Sequence, residues 1–362
     1  MKNCRFIINM PIVIMKLLTR MSEKEGDTME VTEDRLYDES IIIDTCAPLA
    51  TVGDKYRHFI NGRLTAIGAT IFPVTGYLPE TIKGIAEWYD RINKDERLLQ
   101  VLKVDDIYKA KKEKKLGIIF SFQGTNHIQS DISLLEIYYR LGLRQILLCY
   151  NKKNAVGDGC EEPSNGGLSI FGEKVIKEMN RLGIVVDLAH TGYRTTMEAM
   201  EVSDKPCIFS HGNPYNVHHS PRNLKDEQVI KIAKMGGVIG INGFPTFVSD
   251  SRQPDINQLI DHIDYYTKLI GIDHICIGLD YCESMAGVIP DDVAMKEYTY
   301  RIETGQWSPK TYPPPPYHFP KEIEIPDMMP NIVPALKARG YADSDIKKIL
   351  GENYIRVLNE VW

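Results

Sequence analysis

The sequence predicts an α/β fold, a (β/α)8 TIM barrel, on three observations. Eight short apolar runs each stop at a polar residue, and segments of helical spacing lie between them. The length, 362 residues, suits one barrel of ~250 residues with insertions. Strand and helix in alternation indicate parallel pairing. Buried parallel strands should be nearly continuous in apolar residues, and these runs are.

The runs follow in order. Ile41–Ile43 leads into Asp44 and Cys46, and Ile67–Val74 carries Thr70. Leu116–Phe122 stops at Gln123, and Gln145–Cys149 at Tyr150. Gly183–Ala189 stops at His190 and Pro206–Ser210 at His211. Gly237–Ile241 stops at Asn242 and His274–Leu279 at Asp280. Between them, Thr81–Asn93, Phe171–Leu182, Asp226–Met235 and Asn257–Ile270 carry apolar residues three and four apart, one helical face each. Ser344–Trp362 is helical again and should pack on the barrel. A parallel barrel gathers the C-terminal ends of its strands around one pocket, so the stop residues become a candidate active site.

Residues 1–35 read as an N-terminal extension and 36–362 as one barrel. Two stretches interrupt the alternation: the glycine-rich 157–167 and the proline-rich 303–326, which includes Pro313–Pro316. Loops of that length are lids, binding loops or disordered, and surface decoration is the plainer alternative.

Net charge is −6 with acids and bases interspersed, and no basic stripe points to a nucleic-acid partner. Seven cysteines without a CxxC pair fit a reducing compartment. Phe6–Met15 is apolar behind Lys2 and Arg5, but Lys16 and Arg20 interrupt it. It is too short for the ~20 residues of a membrane span, and no small-residue cleavage site follows. A cytoplasmic protein without a stable membrane span is the expectation. Export is the alternative if residues 1–20 act as a signal peptide, and Met21 is an alternative start.

His190 and His211 end consecutive strands, where two neutral imidazoles would form a metal-binding pair. Asp280 is placed to be a metal ligand or a proton shuttle, its plainer role being a helix cap. Arg222, in the loop Ser220–Asn223, offers a planar fork for a carboxylate, although a lone loop arginine is usually a solvated surface group. Tyr150 and Asn242, at their strand ends, are candidates for substrate contact.

Met179–His190 (MNRLGIVVDLAH), Phe209–His211, Pro221–Asn223 and Gly271–Asp280 (GIDHICIGLD), in this order and spacing, resemble the renal or membrane dipeptidase family, peptidase family M19. Gly167–Gly172 and Gly351–Val357 (GENYIRV) look like its flanking segments. The resemblance implies an amidohydrolase-like barrel that cleaves dipeptides with two zinc ions and a shared water. It implies that His190 and His211 bind zinc, that Arg222 holds the substrate carboxylate and that Asp280 handles the proton.

The sequence departs from the family at the other zinc. The family's first strand ends in Asp-Gly-His-Asn-Asp, whereas this chain has Asp44-Thr45-Cys46-Ala47-Pro48. Gln123 stands where the family has a bridging glutamate, and Tyr150 where it has a substrate-contacting histidine. Two metal ions bring four positive charges, and without those carboxylates the charge is uncompensated in a dry pocket. One zinc ion is therefore favoured over two, with no metal as a further alternative. Cys46 and Gln123 are secondary ligand candidates.

The expected function is metal-dependent hydrolysis of a dipeptide or related small amide with a free carboxylate. The alternative is a metal-poor barrel that binds a small carboxylate ligand or performs other acid–base chemistry, with Cys46, Tyr150 and Asp280 lining its pocket. By resemblance dimers are common among such barrels, so a homodimer is one candidate assembly, and no segment of the sequence shows an interface.

Overall fold

The computed structural model describes residues 35–71 and 76–362. The chain divides into two compact units, 1–39 and 40–362. In the first, residues 35–39 form a turn of helix in which Arg35 and Glu39 pair at 2.8 Å. The extension expected over 1–35, Arg35 apart, and the end of the apolar run 67–74 lie outside the described residues.

The second unit contains parallel strands β1 (Ile43–Asp44), β2 (Ala66–Thr70), β3 (Leu98–Gln100), β4 (Leu116–Phe122), β5 (Leu143–Leu147), β6 (Val185–Asp187), β7 (Ile208–Phe209), β8 (Val238–Ile241) and β9 (Ile275–Ile277). β1 pairs with both β2 and β9, β2 pairs with β4, and β4 to β9 follow as neighbours. Eight strands thus close into the expected barrel. β3 is a departure from the sequence reading, because it lies outside the ring. It pairs with Leu116–Ile118 of β4, while β5 pairs with Phe120–Phe122 of the same strand, with a register shift between Phe120 and Ser121. Three residues, two of them only partly buried, leave no apolar run to detect.

The expected helices are Leu78–Lys94, Ile170–Leu182, Asp226–Lys234 and Ile256–Ile270. Local chemistry sets their ends. The Ser169 side chain caps Ile170–Leu182 by accepting from Gly172 N at 2.9 Å, and Gly183 stops it at φ 77°. That left-handed stop turns the chain directly into β6. Asp255 and Gln258 form a reciprocal capping box on Ile256–Ile270.

The C-terminal segment is helical as expected, through Asp343–Lys347, a π turn at Lys348–Glu352 and Asn353–Val361. Tyr354, Val357, Leu358 and Val361 share a buried cluster with Ile43, Val185, Ile208 and Val238, each at the start of its strand. This helix therefore plugs the N-terminal end of the barrel, each large apolar side chain contributing ~1.5–3 kcal/mol. Tyr354 Oη also donates to Gln145 Oε1 at 2.6 Å inside the barrel. The C-terminal end is left for chemistry.

Both insertions pack at that end. Gly157 bridges to Leu168, and Gly159 to Thr191 just beyond β6. In 303–326, Trp307, Tyr312, Tyr317, Phe319 and Ile323 are buried, while Pro313, Pro314 and Pro316 are exposed. Trp307 stacks on Tyr312 at 4.4 Å, and Tyr312, Tyr317 and Phe319 surround Phe244 beyond β8. The proline tract is the outside of a folded cover, not decoration. Among the described residues no helix is long and apolar enough to cross a membrane.

Candidate active site

The β6 and β7 ends carry the two histidines. His190 has a left-handed backbone, φ 62°, a conformation that costs a non-glycine residue ~1–3 kcal/mol and clusters at functional sites. Its Nδ1 lies 2.7 Å from Asn151 Oδ1. Asn151 Nδ2 donates to Gln306 O and Tyr312 Oη, both at 3.1 Å, so Oδ1 is the acceptor. His190 then carries its proton on Nδ1 and keeps a lone pair on Nε2. His211 Nδ1 lies 2.8 Å from Ser210 Oγ. Its Nε2 is buried without a hydrogen-bond partner, 3.9 Å from Asp280 Oδ2. The rings are 4.8 Å apart. Burial, aided by the Arg222 charge, holds both imidazoles well below their ordinary pKa and therefore neutral, the form that binds a metal.

Asp280, after β9, also has a left-handed backbone, φ 61°. Burial, opposed by Arg222, raises its carboxyl to about 7. Cys46 donates to Asp280 Oδ1 at 3.4 Å, and Gln123 Nε2 donates to Cys46 Sγ at 3.2 Å. Asp44 Oδ1 fixes Cys46 by accepting the N–H groups of Cys46 and Leu279, both at 3.1 Å. Below them Thr45 Oγ1 donates to Ser210 O at 2.5 Å. A Cβ on Gly278 would overlap that same carbonyl, so glycine lets β7 and β9 converge here.

Arg222 is not a surface group, being 3% exposed. Its Nε and Nη2 have no partner, and its guanidinium carbon lies 5.3 Å from the Phe247 ring centre. A buried cation with unmet donors calls for an anion. Tyr150 stacks on His190 at 4.0 Å, and its hydroxyl accepts from Trp307 Nε1 at 2.9 Å and Arg301 Nη1 at 3.4 Å. Asn242 sits at the same end of the barrel. Its Oδ1 accepts from Phe244 N at 2.7 Å, and its backbone N donates to Asn213 Oδ1 at 3.0 Å, so the side-chain oxygen shapes its own turn.

The fold therefore joins His190, His211, Asp280, Cys46 and Gln123 through direct contacts, with Tyr150 stacked on His190 and the Arg222 charge acting on both histidines and Asp280. Donor atoms of Cys46, His211 and Asp280 all lie within 4.8 Å of one another. With the orphaned His211 Nε2 among them, this donor set fits a divalent metal ion. Sequence reasoning missed Asn151, Ser210, Arg301, Trp307 and Tyr312. For Trp307 and Tyr312 the sequence signal is the density of aromatic residues in the proline-rich segment.

The family model for membrane dipeptidase (peptidase family M19) matches residues 78–308. Dipeptidase tcpJ of Claviceps purpurea is 29% identical over 269 residues, 74% of this chain and 56% of that protein. Dipeptidase aclJ of Aspergillus oryzae is 28% identical over 251 residues, 68% of this chain and 52% of that protein. The chain thus spans about half the length of these curated relatives. An amidohydrolase structure from Pseudomonas aeruginosa aligns with TM-score 0.81 at 30% identity, covering 91% of this chain and 99% of that one. A Rhodobacter sphaeroides metallo peptidase shares the fold at TM-score 0.71 and 19% identity, over 90% of this chain and 100% of that one. The match over 78–308, together with the likeness to the amidohydrolase along nearly its whole length, leads to one conclusion: the chain belongs to the membrane dipeptidase family, peptidase family M19.

Proposed function

We propose that the protein hydrolyses a dipeptide, or a related small amide with a free carboxylate, with the help of one zinc ion. One observation carries this reading: a buried arginine with two unmet donors, an unpartnered imidazole nitrogen and Asp280 converge at one barrel mouth. His190 and His211 would hold the ion, which when bound supplies a polarising charge for the scissile carbonyl and lowers the pKa of water to ~7.

The chain's own groups do the rest. Arg222 receives the substrate carboxylate on Nε and Nη2, its unmet donors. Asn151 and Ser210 hold the two imidazoles in place, and Tyr150 covers one face of His190. Asp280, poised at about 7, takes a proton from the attacking water and returns it to the departing amine. The dipeptidase names of the curated relatives support the substrate class. A single ion follows from the charge balance, since Pro48 has no donor and Gln123 brings no charge.

Metal content and hydrolysis of a dipeptide panel, before and after chelation, test the reading. Near one zinc per chain, activity lost on chelation and regained with zinc, and poor turnover of dipeptide amides are expected. Full activity after complete metal removal would overturn it.

A further inference from the structure

We infer that Cys46 binds the metal ion as a thiolate beside His190 and His211, with the Asp280 carboxylate at the edge of the site, and that Gln123 serves the sulfur as a hydrogen-bond donor instead of binding metal. The inference rests on the single-ion reading above and names the ligands that make it workable.

Geometry comes first. In a tetrahedral zinc site with bonds of ~2.0–2.3 Å, neighbouring donor atoms stand roughly 3.3–3.8 Å apart. Cys46 Sγ lies 3.4 Å from Asp280 Oδ1, and His211 Nε2 lies 3.9 Å from Asp280 Oδ2. The two contacts use different oxygens of Asp280, and with one donor atom from each residue the three lie within 4.8 Å of one another, so the side chains close by about an ångström around an ion. His211 Nε2 is buried and makes no hydrogen bond, so its lone pair is open to a ligand.

Charge points the same way. A thiolate and a carboxylate together carry two negative charges, which neutralise one divalent ion. That balance needs neither the carboxylate lost at Pro48 nor the one lost at Gln123. On binding, the ion displaces the thiol proton to the buffer and the sulfur's electron pair forms the bond. The Gln123 Nε2 hydrogen bond, 3.2 Å to Sγ, supports negative charge on sulfur as a partner just outside the ligands should. A glutamate at that position would instead repel the thiolate, so the exchanges at 46 and 123 suit each other.

Position agrees as well. Asp44 accepts the Cys46 N–H and so fixes the backbone that carries the thiol beside Asp280 before any ion arrives. Sulfur also changes selectivity. A site of this kind favours thiophilic ions, zinc, cadmium and cobalt, over magnesium and manganese.

Cobalt substitution of the full chain tests this directly. The wild-type protein loaded with one Co2+ should show a near-ultraviolet sulfur-to-cobalt charge-transfer band. Cys46→Ser should lose the band and bind zinc at least ~tenfold more weakly with an unchanged circular dichroism spectrum. Cys46→His should recover zinc affinity without the band. Gln123→Leu should keep the band but shift it. A cobalt-loaded wild type without the band, or unchanged zinc affinity in Cys46→Ser, overturns the inference while leaving a metal-dependent hydrolase standing. A wild type that takes up no cobalt and hydrolyses dipeptides regardless of chelator overturns the metal-dependent reading as well.

Discussion

The ends of β1 and β6 are built by one backbone device and carry different chemistry. At β1, Asp44 Oδ1 accepts the N–H two residues ahead, Cys46, and that of Leu279 beyond the neighbouring β9. At β6, Asp187 Oδ1 accepts the N–H of Ala189 at 3.0 Å and that of Ser210 beyond the neighbouring β7 at 2.9 Å. The β6 device leads to His190, which matches the family pattern, and the β1 device to Cys46, which departs from it. The part that aims a side chain is thus separable from the side chain it aims, and the barrel keeps its geometry while the residue presented at the mouth changes type. The two devices differ in one respect. Asp187 Oδ2 accepts from Gln145 Nε2 at 3.2 Å, whereas Asp44 Oδ2 is buried without a partner.

Asp280 stands between the two sides, so its loss should be felt most. Asp280→Asn is expected to lower kcat by ~10²–10⁴ with an unchanged circular dichroism spectrum. A smaller loss would move proton handling to one side of the mouth alone. Arg222→Met should raise KM for a dipeptide by ~10–100-fold, from a charged hydrogen bond of ~1.5–3 kcal/mol, and change turnover of a dipeptide amide much less. Equal effects on both substrates would remove Arg222 from carboxylate recognition.

Asn151→Leu attacks the β6 side alone. It leaves His190 Nδ1 without its partner, and titration calorimetry should find zinc affinity lowered by ~10–100-fold. Unchanged affinity would shift the metal toward the β1 side. Asp44→Asn sharpens the difference between the two carboxylates. Burial, the dominant cause, raises Asp44 to about 8, above the ~3.9 of an unfolded chain. The folded state therefore binds this proton more tightly than the unfolded state, and stability falls as pH rises from about 4 to 8. Urea midpoints of metal-free protein should show this slope flattened in Asp44→Asn. An identical slope would mean that Asp44 is not the group that titrates. The smallest effect belongs to the cover. Trp307→Phe removes one hydrogen bond to Tyr150, worth ~0.5–1.5 kcal/mol, and should change KM a few-fold. A change of 100-fold would make the cover part of the binding surface itself.

Much of the barrel mouth is legible in the amino-acid sequence. Parallel barrel strands are buried on both faces, so they leave continuous apolar runs, and the first polar residue after each run marks the mouth. That rule locates Gln123, Tyr150, His190, His211, Asn242 and Asp280, and places Cys46 three residues past its run. The burial of Arg222 is not legible, because a loop arginine reads as solvated until Phe247 and the segment around Tyr312 close over it.

The amino-acid sequence alone determined the barrel, the order of its chemical groups and the exchanges at Cys46, Pro48 and Gln123, because periodicity and residue type are local properties. Only the tertiary structure decided that Asn151 sets the His190 tautomer, that Trp307 reaches Tyr150 across 157 positions, and that Cys46 meets Asp280 across 234. Those pairings arise from ring closure and from a loop folding back over the mouth, and contacts so distant along the chain leave no periodic trace in it.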